Sequence, residues 1–110
     1  MQAPLTPERL AATYEYLRSW PSFSSLPPAD MIQFRTTRSK SVYGETDFTK
    51  PEILLSLALN HHLDTILMTT AHEMVHLLTV KTAHDKDFLR ISKTICRDFG
   101  WDLGHFVGGV

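Results

Sequence analysis

Two histidines and a glutamate, in the run His72-Glu73-Met74-Val75-His76, carry the chemistry most readily read from this chain. On an α-helix, residues four apart differ by about 40° in azimuth, so both imidazoles leave one face and can grip a single ion. The glutamate beside the first histidine can take a proton from a water activated at that ion. This H-E-x-x-H spacing is a signature of zinc-dependent peptide hydrolysis. Zinc in a hydrolytic site takes three protein ligands and keeps a further position open. A third ligand must therefore come from elsewhere, and His84 is the best candidate. Asp85 and Asp87 compete with it, since carboxylates also bind zinc. Favourable charges in the first turn of a helix are the simpler reading of both.

Helical elements must position these groups. From Leu63 the apolar residues Leu63, Ile66, Leu67, Ala71, Met74, Val75 and Leu78 recur with helical period, and Asn60 is the expected N-cap. On a wheel they form one stripe, with His72 and His76 on roughly the opposite side, where they would line a cleft. Two histidines on a solvated face are the bland alternative. Thr82 and Asp85 resemble a capping box that opens a second helix. Its apolar stripe is Phe88, Ile91, Ile95 and Phe99, and Gly100 stops it. Such a helix hairpin can swing His84 beside the other two imidazoles.

Upstream, Thr6-Pro7-Glu8 opens a helix with Leu10, Tyr14 and Leu17 on one face, ending before Pro21. Residues 21–30, rich in proline and serine, read as a linker or a loop laid over the surface. Residues 31–37 alternate, with Ile32 and Phe34 on one side and Gln33 and Arg35 on the other, as in a half-buried strand. Tyr43-Gly44 marks a turn. The segment 52–59 reads either as a buried strand or, with Thr49 and Glu52 as caps, as a helix. His61 and His62 sit too far along the axis from His72 to share an ion, and read as surface residues. Tyr43 and His105 are candidates to assist the site as second-sphere or substrate contacts. Packing is the simpler reading for Tyr43, and no specific role is the simpler one for His105.

The sequence at this point resembles the SprT-like zinc metallopeptidases, which include the Spartan proteases of DNA–protein crosslink repair. Three pieces carry the resemblance. H-E-M-V-H is followed by His84 and Phe88, like the family's H-E-x-x-H…H-x-x-x-F. The run from Arg38 to Tyr43-Gly44 is similar to its Arg…aromatic-Gly turn between two strands. Ile53-Leu54-Leu55-Ser56 is similar to the strand ending in Leu-Ser before the active-site helix. Together they span roughly residues 31–99. Asp85 stands where the family often has glycine, and the sequence carries no Cys-rich zinc ribbon. The resemblance implies a strand at the ambiguous segment 52–59. It also implies a zinc peptidase with His72, His76 and His84 as ligands and Glu73 as general base.

Length and composition suit a minimal version of such a domain. The 110 residues allow one domain, 1–110, with one modest core. An apolar content of 43% and 21% charged residues argue against disorder. The expected fold is α+β: an N-terminal helix, a sheet of about three strands, the H-E-x-x-H helix and a closing helix. The lone cysteine, Cys96, excludes an internal disulfide and reads as a partly buried, inert thiol. Met1-Gln2-Ala3-Pro4 has no basic flank or apolar run, which predicts no signal peptide and a cytoplasmic protein. No stretch is long enough to span a bilayer. A net charge of −1 gives no global field for nucleic acid. Arg35, Arg38 and Lys40 form one small basic cluster, read first as a solvated face. The function expected is cleavage of protein or peptide substrates with Zn²⁺, with weak DNA contact. The alternatives are a non-catalytic zinc-stabilised interaction module and a DNA-associated protease directed by a partner.

Overall fold

A computed structural model describes residues 4–109. Residues 1–3, where the absence of a leader was read, lie outside the described residues. Helix α1 (Pro7–Arg18) starts as the sequence dictates: Thr6 Oγ1 accepts from the Arg9 amide at 3.1 Å, Pro7 fills the first turn, and Leu10, Tyr14 and Leu17 are buried. Three strands follow, β1 (Gln33–Thr37), β2 (Gly44–Asp47) and β3 (Glu52–Ser56). Three helices complete the chain, α2 (Leu63–Thr79), α3 (Lys86–Phe99) and α4 (Leu103–Gly108). The result is the expected α+β fold with a three-stranded sheet. Among the described residues no helix is long and apolar enough to cross a membrane.

The proline-rich segment is more than a surface strap. It folds into 3-10 turns at Pro21–Phe23 and Ala29–Met31, and Phe23 is fully buried. Side chains of α1 hold it down: the Tyr14 hydroxyl donates to the Pro27 carbonyl at 2.6 Å, and Glu15 accepts from the Ala29 amide at 2.7 Å. Buried phenols need such a partner.

The sheet order is β1-β3-β2, with β3 parallel to β1 and antiparallel to β2. The segment after residue 51 is thus a strand, and its burial on both faces explains the aliphatic run. Asp47 makes the turn into it by accepting from the Thr49 hydroxyl and amide, which removes the helical alternative. β2 is left as an edge strand. Ser56 donates its amide to the Tyr43 carbonyl. By the antiparallel alternation, Glu45 and Asp47 turn their backbone groups inward to β3, while Gly44 and Thr46 turn theirs toward the free edge.

Two expectations need correction here. Gly44 is the first residue of β2, not a turn residue. A Cβ there would lie 3.0 Å from the Leu54 carbonyl oxygen and Thr69 Cγ2 and 3.2 Å from Glu73 Cγ, so glycine is needed to let the strand approach α2. Asn60 does not cap α2, whose N-cap position is His62. Asn60 is buried, and its amide nitrogen donates to the carbonyls of Ser56 at 2.7 Å and Tyr43 at 3.0 Å. It ties the end of β3 to the start of β2.

Candidate metal centre

Helix α2 is the central element, packed by α1, α3, α4 and two strands. Every residue from Thr69 to Leu77 is therefore buried, and the single apolar stripe read from the sequence is a poor description of this half of the helix. His72 and Glu73 are each 4% exposed and His76 is 8% exposed. All three line a cleft of about 560 Å³ bounded by β2, the loop before α3 and the end of α4.

The three histidines converge. The His76 Nε2 atom lies 3.3 Å from the Nε2 of His72 and 3.3 Å from that of His84. All three offer a ligand atom within 4.8 Å of one another. A tetrahedral ion with metal–nitrogen bonds of about 2.05 Å spaces its ligands about 3.3 Å apart. The tautomers agree with that use. His72 Nδ1 lies 2.8 Å from the Phe106 carbonyl and His76 Nδ1 lies 2.9 Å from the Lys81 carbonyl. A carbonyl oxygen only accepts, so both Nδ1 atoms carry the proton and both Nε2 atoms present bare lone pairs. Two such lone pairs 3.3 Å apart repel unless a cation lies between them. Burial pushes the His72 imidazole down to about 4, and burial also lowers His76, which keeps both rings neutral and ready to ligate.

The loop that delivers His84 is set by the C-terminus of α2. Val80 adopts a left-handed conformation, φ 53°, and reverses the chain, bringing the Lys81 carbonyl back to His76. α3 then starts three residues later than the capping box suggested. Asp85, not Thr82, is its N-cap, and its Oδ1 accepts from the Phe88 amide at 3.2 Å. Lys81 pairs with the carboxylates of Asp85 and Asp87. Both aspartates are thereby engaged in the helix start. Phe88, fully buried, stacks on His84 at a centroid distance of 4.4 Å and also packs on His76 and His72. One ring thus braces all three imidazoles.

Glu73 reaches into the same cleft. Burial pushes its carboxyl up to about 7, opposed by a hydrogen bond from Thr46 and reinforced by the charge of Glu45. A carboxyl group near pKa 7 is matched to moving protons at neutral pH. Tyr43 lines the cleft. His105 does not. It is exposed on α4, where its amide donates to the Asp102 side chain and its carbonyl accepts from the Gly109 amide. The contribution of that region comes from its neighbour Phe106, through the main-chain carbonyl. The sequence reading missed α4, Phe106 and Thr46. Asp102 as an N-cap and the spacing Leu103, Phe106, Val107 were the available signal for the helix.

No family model matches this chain, and no curated protein matches it. Among solved structures, the chain is similar to the crystal structure of the metallopeptidase zymogen abylysin of Pyrococcus abyssi, with a TM-score of 0.61. The fold is shared with a metallopeptidase. The match covers 84% of this chain and 97% of that chain, at 18% sequence identity. It speaks for the architecture, and the chemistry rests on the residues described above.

The titrations of His72 and Glu73 pull the stability of the metal-free protein in opposite directions. Between about pH 4 and 6.5 the unfolded chain protonates His72 and the folded one does not, so stability falls as pH falls. Between pH 4.5 and about 7 the folded chain keeps Glu73 protonated while the unfolded chain ionises it, so stability falls as pH rises. Glu73→Gln removes only the second effect. Relative to wild type, the metal-free variant should lose on the order of 1 kcal/mol per pH unit on acidification from pH 6.5 to 4.5. Urea unfolding with a chelator at both pH values measures this difference, and parallel pH profiles would contradict it.

Proposed function

We propose that the protein is a zinc-dependent peptidase, a minimal relative of the SprT-like enzymes, with His72, His76 and His84 as metal ligands and Glu73 as general base. The observation that carries this reading is the buried Glu73 carboxylate in one cleft with three converging imidazoles. A purely structural metal site has no use for that carboxylate. When bound, zinc supplies Lewis acidity, polarising a carbonyl and lowering the pKa of water toward neutrality. Glu73 accepts the proton of the attacking water and hands it to the leaving amine. The outward backbone groups of Gly44 and Thr46 offer an extended substrate a strand to pair with beside Glu73. Main-chain pairing tolerates many side chains, which suits unfolded protein substrates.

The direct test is cleavage of casein and of a mixed peptide library by zinc-loaded protein. Activity should vanish with chelator and return with zinc. Zinc-loaded protein that cleaves neither substrate overturns the reading in favour of a metal-stabilised interaction module.

A DNA-directed protease is the third reading, and the electrostatics disfavour it for the chain alone. Arg35, one of the three clustered cations, lies 3.7 Å from the buried Glu52 carboxylate, which Lys50 also approaches. The cluster's net field is reduced accordingly. We expect DNA to bind with a dissociation constant above roughly 10 μM at physiological salt. Fluorescence anisotropy with labelled single- and double-stranded DNA checks this. Submicromolar binding, lost when Arg35, Arg38 and Lys40 become alanine, would restore a DNA-guided role.

A further inference from the structure

The Glu73 side chain has three rotatable bonds, and a general base works only when its carboxylate is held at the reacting water. Among the described residues, Thr46 alone donates a hydrogen bond to that carboxylate, with Oγ1 2.7 Å from Glu73 Oε1. The same Oγ1 lies 3.1 Å from the Glu73 main-chain carbonyl. A threonine hydroxyl has one proton, so the shorter contact to Oε1 takes the larger share. Oε1 is thereby occupied, and Oε2 is left as the oxygen available to a water in the cleft that Glu73 lines. The close approach that makes this possible is the one Gly44 permits, two residues earlier on the same strand.

We propose that Thr46 is a positioning residue of the hydrolytic site, fixing Glu73 by its hydroxyl while its own backbone faces the free edge of β2. The inference rests on the peptidase reading above and names how that site is aligned. Thr46 occupies both sides of the problem. Its side chain points to α2, paired in register with Ile53, and its N–H and C=O point to where an added strand would lie. Pairing a substrate strand with β2 therefore stiffens the residue that aims the base. Removing the hydroxyl leaves the main-chain groups that would pair with substrate in place, so its loss should fall on turnover and leave affinity little changed.

The test uses the zinc-loaded full chain with Thr46→Val, which keeps the branched shape and strand preference but removes the hydroxyl, and with Thr46→Ser, which keeps the hydroxyl. Thr46→Ala is a second hydroxyl-free variant if valine packs poorly. We expect Thr46→Val to lower kcat by about 10- to 100-fold with KM within about threefold of wild type, zinc content being unchanged and the chain still cooperatively folded at the assay temperature. Thr46→Ser should recover kcat to within about threefold of wild type. In a Glu73→Gln background, Thr46→Val should cost nothing more, since the group it positions is gone. Thr46→Val with kcat within about twofold of wild type overturns the proposal. So does Thr46→Ser falling as far as valine, or a further tenfold loss on top of Glu73→Gln. Zinc-loaded wild type that cleaves nothing removes the peptidase reading itself. Active wild type with an indifferent Thr46 removes only this inference.

Discussion

Glu73→Gln should lower peptide hydrolysis by at least a few hundredfold while leaving the fold and the bound metal in place. The size follows from what is removed. General-base catalysis contributes on the order of 10²–10⁴ in rate, and glutamine cannot accept the proton of an attacking water. The steric change is minimal, and the Thr46 hydroxyl can still donate to the amide oxygen where it now donates to Oε1. Glu73 is not among the three converging ligands, so metal content should not change. Burial of a neutral amide in place of a carboxyl whose pKa is already pushed up to about 7 carries little cost at neutral pH. Steady-state cleavage measured beside metal analysis on one preparation checks both halves. A variant that keeps zinc and full activity would remove Glu73 from the mechanism. One that loses both would make it a structural residue.

The second large effect concerns the ligands. His72→Ala or His76→Ala should abolish zinc binding at micromolar concentrations, because two remaining nitrogens hold the ion poorly against water. His84→Ala should weaken binding strongly, whereas Asp85→Ala and Asp87→Ala should retain it. Asp85 caps α3 and pairs with Lys81, and Asp87 pairs with Lys81 and Arg90, so neither carboxylate is free to serve the ion. Asp85→Ala should instead cost about 1 kcal/mol of helix stability through the lost cap. Competition with a chromophoric chelator separates the variants. Normal affinity in His84→Ala with loss in Asp85→Ala would reassign the third ligand.

Much of this arrangement was legible in the residues. The four-residue spacing of His72 and His76 fixed one helix face, and Thr6-Pro7 and Gly100 bounded α1 and α3 where the structure ends them. Strand β3 was legible only as an ambiguity, since a short aliphatic run fits a buried strand and a buried helix alike. What stayed hidden depends on contacts between distant segments. Thr46 and Glu73 are 27 residues apart, His72 and Phe106 are 34 apart, and nothing local to either pair encodes its meeting. Gly44 suggested a turn because glycine so often serves one, whereas here it answers a crowding problem set by α2. Asn60 was read as an acceptor for a helix start, but its buried amide donates to two carbonyls.

The proposed ligands are divided unequally between a rigid support and a short connection, and this has a bearing on how long a bound ion would stay, and only through that on affinity. His72 and His76 stand on the most buried stretch of the molecule, with Nδ1 tied to main-chain carbonyls. His84 is exposed and rides the loop between α2 and α3, entered through the left-handed Val80. A metal held as proposed should be captured in two stages: a fast landing on the buried helical pair, followed by engagement of His84. Release should run in reverse, with His84 leaving first. The lifetime of a loaded protein would then follow how long the Val80–Asp85 loop keeps His84 in place. A change confined to that loop, such as relaxing Val80 to glycine, should alter the metal off-rate while the arrival rate hardly moves.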